Sequence, residues 1–88
     1  MSVYCITYTV KSKEYVNLIE AIKSYGFWWH ESESIWFIQS SKNANEILEN
    51  LKKFIGNKDK LFVIEVKKHW YAVGYTEEEY NWLKARDF

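Results

Sequence analysis

The sequence contains no proline, one cysteine and one arginine among its 88 residues. A single cysteine cannot form a disulfide within the chain, and it supplies no cluster of metal ligands, so we expect neither a metal site nor a cofactor. The twelve basic residues are balanced by twelve acidic ones. Proteins that bind nucleic-acid duplexes usually have a basic surplus and use arginine for bidentate contacts. This charge pattern therefore argues against strong nonspecific binding to a duplex.

The sequence also lacks several kinds of segment. It has no apolar run of membrane-spanning length, and its first residues lack the charged and apolar regions of a signal peptide. We therefore expect a cytoplasmic protein with no membrane partner. No repeat, low-complexity segment or linker interrupts the chain. We predict one domain over residues 1–88, with a core at 1–67 and an arm at 68–88.

Aromatic residues are abundant, at 19% of the chain, and the hydrophobic fraction is 48%. This composition excludes a disordered chain. A small domain buries a modest fraction of its surface, so this many large rings indicate a second interface. A homodimer supplies such an interface most simply.

Three tryptophans lie in one aromatic stretch that we predict to be a β-hairpin. Its strands are 26–30 (Gly-Phe-Trp-Trp-His) and 35–38 (Ile-Trp-Phe-Ile), joined by the polar residues 31–34. Aromatic and β-branched residues suit strands, and a short polar connection suits a hairpin. Trp28 and Trp29 are adjacent, so they must point to opposite faces.

The first strand and helix follow from periodicity. Residues 3–10 alternate, which places Tyr4, Ile6 and Tyr8 on a face that we expect to meet the helices. The opposite face, with Cys5, Thr7 and Thr9, is smaller and more polar, so it is open to a partner or a ligand. A helix follows with Ser12 as N-cap and Gly26 as its left-handed stop. Its apolar stripe comprises Tyr15, Leu18, Ile19, Ile22 and Tyr25.

The second half of the sequence also predicts a helix followed by a strand. Asn43 and Glu46 form a capping box for a helix that Gly56 and Asn57 end. A strand follows at 61–66, and the order becomes strand, helix, strand, strand, helix, strand, the split βαβ or ferredoxin-like arrangement in an α+β fold. The arm then reads as a fifth strand at 70–75 and a short helix whose capping box is Thr76 with Glu79.

With this order, the chain resembles SinR-like small ferredoxin-like proteins. These are relatives of the small subunit of the CRISPR adaptation complex and of VapD-type toxins. The residues that carry the resemblance are 15–26, 28–30 (Trp-Trp-His), 34–36 (Ser-Ile-Trp), 61–66, 74–75 and 82–84. The resemblance implies a symmetric homodimer in which the open sheet faces meet and the fifth strand joins the partner's sheet. We accordingly assign the dimer interface to Cys5, Thr7, Trp70, Tyr71 and Tyr75.

Nuclease-like members of that family carry an aspartate at the end of strand one, usually after a tyrosine, where it could hold a divalent metal. This sequence has Tyr8 and Thr9 there. A neutral hydroxyl does not replace a carboxylate as a ligand for a hard cation. We therefore expect no metal-dependent nuclease activity. Glu65, which we place on the same polar face as Thr9, is the one residue that could compensate.

The candidate ligand-binding residues are Trp28, Trp29, His30, Trp36 and Thr9. Exposed tryptophans stack on nucleobases with little sequence specificity. The alternative interpretation is that most of these rings lie in the core or in a dimer interface. His30 and His69 are the candidates for a general base, but neither follows a nucleophile motif, which favours a structural role. We expect the Cys5 side chain to be a small buried hydrophobic group rather than a reactive thiol.

These observations favour a non-enzymatic homodimer that binds a nucleotide or nucleic acid in an aromatic cleft. Such a protein could serve a phage or mobile element by acting against a host defence protein. The alternatives are a metal-dependent endoribonuclease of toxin type, or a purely protein-binding inhibitor that adds a strand to its partner's sheet.

Overall fold

A computed structural model describes residues 1–11, 15–32, 34–67 and 69–86. The predicted N-cap Ser12 lies outside these residues. These described residues form four strands and three α-helices, in the predicted order through the fourth strand. These are β1 (Ser2–Thr9), α1 (Val16–Lys23), β2 (Phe27–Ser32), β3 (Ile35–Ser40), α2 (Ala44–Leu51), β4 (Lys60–Val66) and α3 (Glu77–Lys84), with a short 3-10 helix at Lys52–Phe54 after α2.

The strands form one antiparallel sheet in the order β2-β3-β1-β4. This α+β architecture is compatible with a ferredoxin-like class. The central strand β1 pairs with β3 on one side and β4 on the other, and β2 and β4 are the edges. The first strand therefore links the hairpin of β2 and β3 to the last strand, β4.

The core lies on one side of the sheet, which we call the helix face. Tyr4, Ile6 and Tyr8 are buried there, which confirms the predicted orientation of β1. They pack with Trp36 and Ile38 of β3 and with buried residues of the first two helices, namely Leu18, Ile22, Ile47 and Leu51. The opposite side, the outer face, carries the remaining members of the alternating pattern.

The stop at Gly26 and the two capping boxes are confirmed. The predicted end of the second helix at Gly56 and Asn57 is wrong, because α2 ends at Leu51 and a 3-10 helix follows to Phe54. Gly26 has a φ of +90°, the left-handed region that favours glycine after a helix. In α2 the Asn43 side chain accepts from the Glu46 N–H at 2.8 Å, and the Asn43 N–H donates back to Glu46 at 3.1 Å. Thr76 and Glu79 exchange the same pair of bonds at 3.2 and 3.0 Å. Both capping boxes were predicted.

The hairpin is tighter than predicted. Backbone pairing carries β2 to Ser32, with a register shift between His30 and Ser32, and β3 begins at Ile35. The predicted polar connection over 31–34 is therefore partly strand, and Glu33 lies outside the described residues.

The predicted fifth strand at 70–75 is wrong for the single chain. The described residues of this segment form no strand. Gly74 has a φ of +89°, which interrupts extended geometry. Instead of joining an edge, the segment packs its rings against the outer face and against α3: Tyr75 meets Trp29, and Trp70 meets Tyr80.

Candidate functional site

A cavity of about 560 Å³ lies between the outer face of the sheet and the C-terminal segment. The sheet forms the floor of the cavity. The opposite wall is formed by α3 and by residues 70–75, which precede it. The described walls are formed by Trp29, Ile35, Phe37, Val66, Trp70, Tyr71, Ala72, Val73, Tyr75, Glu79, Tyr80 and Leu83. Nearly all of these side chains are aromatic or aliphatic, which is typical of a site for a small ligand.

The floor of the cavity is organised around Trp29. Its ring stacks on Phe37, the residue directly opposite it on β3, with centroids 5.2 Å apart and an interplanar angle of 21°. Tyr75 meets the same ring edge-on at 5.8 Å, and Trp82 lies at 6.2 Å. Such aromatic contacts fix ring orientation beyond simple burial. Trp29 is therefore held in place before any ligand arrives.

The opposite wall combines a fixed part with an exposed rim. Trp70 packs edge-on against Tyr80 of α3 at 5.2 Å. Tyr71 and Val73 are 88% and 93% exposed although they border the cavity. The rim therefore offers apolar side chains that a ligand could cover.

Arg86 fastens α3 to the outer face. Its guanidinium lies 4.8 Å from the Trp82 ring centroid and 5.4 Å from that of Phe27 on β2. It also donates to Gln39 Oε1 at 3.3 Å and to the Trp82 carbonyl at 3.2 Å. A planar guanidinium can stack and donate at the same time, which an ammonium cannot. The one arginine of the chain thus holds the cavity wall to the sheet.

Glu79 is the one charged residue among the described walls. Its Oε1 accepts from the Thr76 N–H in the capping box at 3.0 Å. No lysine or arginine is among these wall residues. A carboxylate has about four lone-pair positions, so the capping bond leaves acceptor capacity for a ligand.

The predicted ligand-binding residues do not form one cleft. Only Trp29 lines the cavity. Trp36 is 1% exposed on the helix face and donates from Nε1 to the Tyr8 hydroxyl at 3.2 Å. His30 stacks on Trp36 at 4.0 Å with an interplanar angle of 8°, and Trp28 lies 5.3 Å from the same ring. These three rings form a cluster on the side of the sheet opposite Trp29.

The predicted dimer residues are divided between two environments. Cys5 and Thr7 are half-buried on the outer face, where Cys5 lies between Phe37 and Ile64 on the neighbouring strands. Trp70 and Tyr75 pack within the chain against the rings described above, and Tyr71 is exposed. The assignment of these residues to an interface remains a prediction.

The predicted placement of Glu65 on the same face as Thr9 is wrong. Glu65 lies opposite Tyr4, on the helix face, whereas Thr9 lies opposite Lys60 on the outer face at the other end of the pairing. Side chains on opposite faces of a sheet cannot contact each other. Glu65 instead accepts from Lys67 Nζ at 3.0 Å, and this hydrogen bond is the main cause that lowers its pKa.

Several residues of the site were not predicted. The alternation in β2 and β3 does place Trp29 and Phe37 on one face, and this signal could have indicated their contact. Glu79 was explained by helix capping alone, and Arg86 was counted only as a charge. Nothing in the sequence indicates that the segment after β4 crosses the outer face.

Among the described residues, no group of three histidine, cysteine, aspartate or glutamate side chains is placed to hold a metal ion. None of the described helices has both the length and the apolar character that a membrane crossing requires.

Comparison of the chain with protein-family models, with curated proteins and with solved structures finds no match in any of the three. The resemblance to SinR-like proteins thus stays a prediction.

Proposed function

We propose that this chain is a non-enzymatic binding protein whose cavity receives a flat ring. The ring belongs to a nucleotide or to an unstacked base of single-stranded nucleic acid. The observation that carries this proposal is the cavity above Trp29, with walls of aromatic and aliphatic side chains.

The dimensions support the proposal. A volume of about 560 Å³ falls in the range of small-molecule sites. Stacking of one base on an aromatic side chain contributes about 1–3 kcal/mol. Since the contacts of Trp29 already fix its ring, little ordering cost remains for a ligand that stacks there.

The test compares two adjacent tryptophans. Trp29→Leu removes the ring on the cavity floor, whereas Trp28→Leu removes a neighbouring ring on the opposite face. Binding of nucleosides and of a short single-stranded oligonucleotide would be measured by calorimetry, with melting temperature as a second readout because a ligand of the native state raises it. We expect Trp29→Leu to weaken binding about tenfold or more, and Trp28→Leu to retain it.

Two results would contradict the proposal. One is a wild-type protein that neither binds any of these compounds nor melts at a higher temperature with them. The other is equal binding by the two variants, provided that circular dichroism shows both to be folded.

We also propose that the chain has the ferredoxin-like topology and forms a homodimer. The strand order β2-β3-β1-β4 supports the topology. For the dimer, the supporting observation is the outer face of edge strand β4, where Phe62 and Ile64 are 58% and 48% exposed. Exposed apolar side chains grouped on one face are typical of an interaction surface. The same surface would serve the alternative function, that of a purely protein-binding inhibitor.

A further inference from the structure

We propose that Glu79 makes the cavity selective for a ring that presents adjacent N–H donors, such as guanine, and that any phosphate remains outside. This inference rests on the proposed function and names the class of ligand within it. It is carried by the position of one carboxylate in an otherwise apolar wall.

The carboxylate has the capacity to read such an edge. It is half-buried in the wall and uses Oε1 for one bond from the Thr76 N–H at 3.0 Å. The remaining lone pairs of both oxygens can accept two parallel N–H bonds. Hydrogen bonds to an ionised acceptor are shorter and about twice as strong as neutral ones.

The surroundings increase this selectivity. The other described wall residues are aromatic or aliphatic, so a ligand that fills the cavity would displace water from beside the carboxylate and strengthen its interaction with a donor. The same carboxylate repels a phosphate, and the described walls contain no lysine or arginine to compensate. A ring with donors facing Glu79 therefore fits, and an anionic group in the cavity does not.

The chain offers a well-matched pair of variants. Glutamine also serves at the third position of a capping box, so Glu79→Gln removes the charge while the start of α3 is preserved. Glu78→Gln removes a charge from the same helical turn at an exposed residue outside the cavity wall. Both variants change the net charge equally.

The experiment measures dissociation constants of guanosine, inosine, adenosine and guanosine 5′-monophosphate by calorimetry at one salt concentration. For the wild type and Glu78→Gln, we expect guanosine to bind about tenfold tighter than adenosine, with inosine between them. The monophosphate should bind no tighter than guanosine. In Glu79→Gln the preference for guanosine should fall to about twofold or less, while adenosine binding is retained.

The possible failures are distinguishable. If no nucleoside binds the wild type, the proposed function fails and this inference with it. If nucleosides bind without preference, or Glu79→Gln keeps the preference, the cavity binds rings but Glu79 does not select them. Tenfold tighter binding of the monophosphate would show that the site selects anions. Thermal melts would confirm that each variant is folded.

Discussion

At the scale of single residues, Trp28 and Trp29 show how one position in a strand decides the role of a side chain. The Trp28 ring approaches Trp36 on the helix face and lies under Lys23 Nζ, 5.1 Å from the ring centroid. The Trp29 ring stacks on Phe37 on the outer face. Because successive residues of a strand point to opposite faces, one tryptophan packs on the helix face and its neighbour lies in the cavity floor.

A substitution at Gly26 should destabilise the fold through the conformation of its backbone. A Cβ at this position would meet no atom within 4 Å, so the cost comes from the backbone at φ +90° and not from crowding. Gly26→Val should lower the free energy of unfolding by about 1–2 kcal/mol or more. Gly26→Asn should lose less, since asparagine tolerates this region better. Urea unfolding measures both, and equal losses would show that strain is not the cause.

Asp59 provides a prediction about pH. Its carboxylate accepts from the Gly56 N–H at 2.7 Å and from the Lys11 N–H at 2.9 Å, and these bonds lower its pKa below 3.8. A pKa that is lower in the folded chain stabilises the fold above the unfolded pKa, and the contribution is lost as pH falls through the folded value. Asp59→Asn should therefore lower the melting temperature at pH 7. The difference from the wild type should shrink below about pH 3.9. A difference independent of pH would contradict the charged role.

At the scale of elements, α3 is a short helix that depends on side chains for its position. Its capping box stabilises its first turn, and Leu83 is buried beneath it. Isolated helices of this length are marginal in water, so contacts with the sheet must supply most of its stability. Arg86, the last described residue, makes two of these contacts, to Phe27 and to Gln39.

Replacing Arg86 tests this dependence. Arg86→Lys keeps the charge but loses the stacked plane and the pair of directed hydrogen bonds. We expect the docking of α3 to weaken by about 1 kcal/mol. Amide exchange in α3 should then be about fivefold faster, while amide exchange in strands β1 and β3 is unchanged. Lys52→Gln is the control, because its ion pair with Glu49 is exposed and should contribute little. Unchanged exchange in Arg86→Lys would show that other contacts hold the helix.

Local signals predicted the sheet core well because they act within a few residues. The alternation in β1, the two capping boxes and the turn at Gly26 each depend on neighbours in the chain. The path of residues 70–75 depends on distant partners on the outer face and on Gly74, so a strand-like composition predicted the wrong structure. The placement of Glu65 on the face of Thr9 was wrong for a similar reason: alternation separates the two faces of each strand but does not say which face of β4 matches that of β1.

The candidate site was predicted only through Trp29. Its other wall residues come from β3, β4, α3 and the segment at 70–75. These parts meet only in the folded chain, and no short sequence motif indicates that they do. The alternation of β2 was predicted to separate Trp28 from Trp29, and the structure confirms that Trp28 and His30 share one face while Trp29 lies on the other.

At the scale of the whole molecule, the exposed apolar surface of β4 predicts self-association. Sedimentation at micromolar concentration should give a dimer, and the paired substitutions Phe62→Ser and Ile64→Ser should shift it to a monomer. Both side chains are exposed, so the fold should survive. Phe54→Ser is a matched control, since this exposed ring lies after α2 and not on the outer face. A wild-type monomer at these concentrations would exclude the dimer.

The central position of β1 has a consequence for the making of the protein. This strand is synthesised first among the four, yet one of its two neighbours, β4, begins at Lys60. Ribosomes add about 5–20 residues per second, so β1 waits roughly 3–10 s for its last partner. During that time the apolar side of Tyr4, Ile6 and Tyr8 lacks its complete cover. The sheet can therefore be completed only after more than two thirds of the chain has been synthesised.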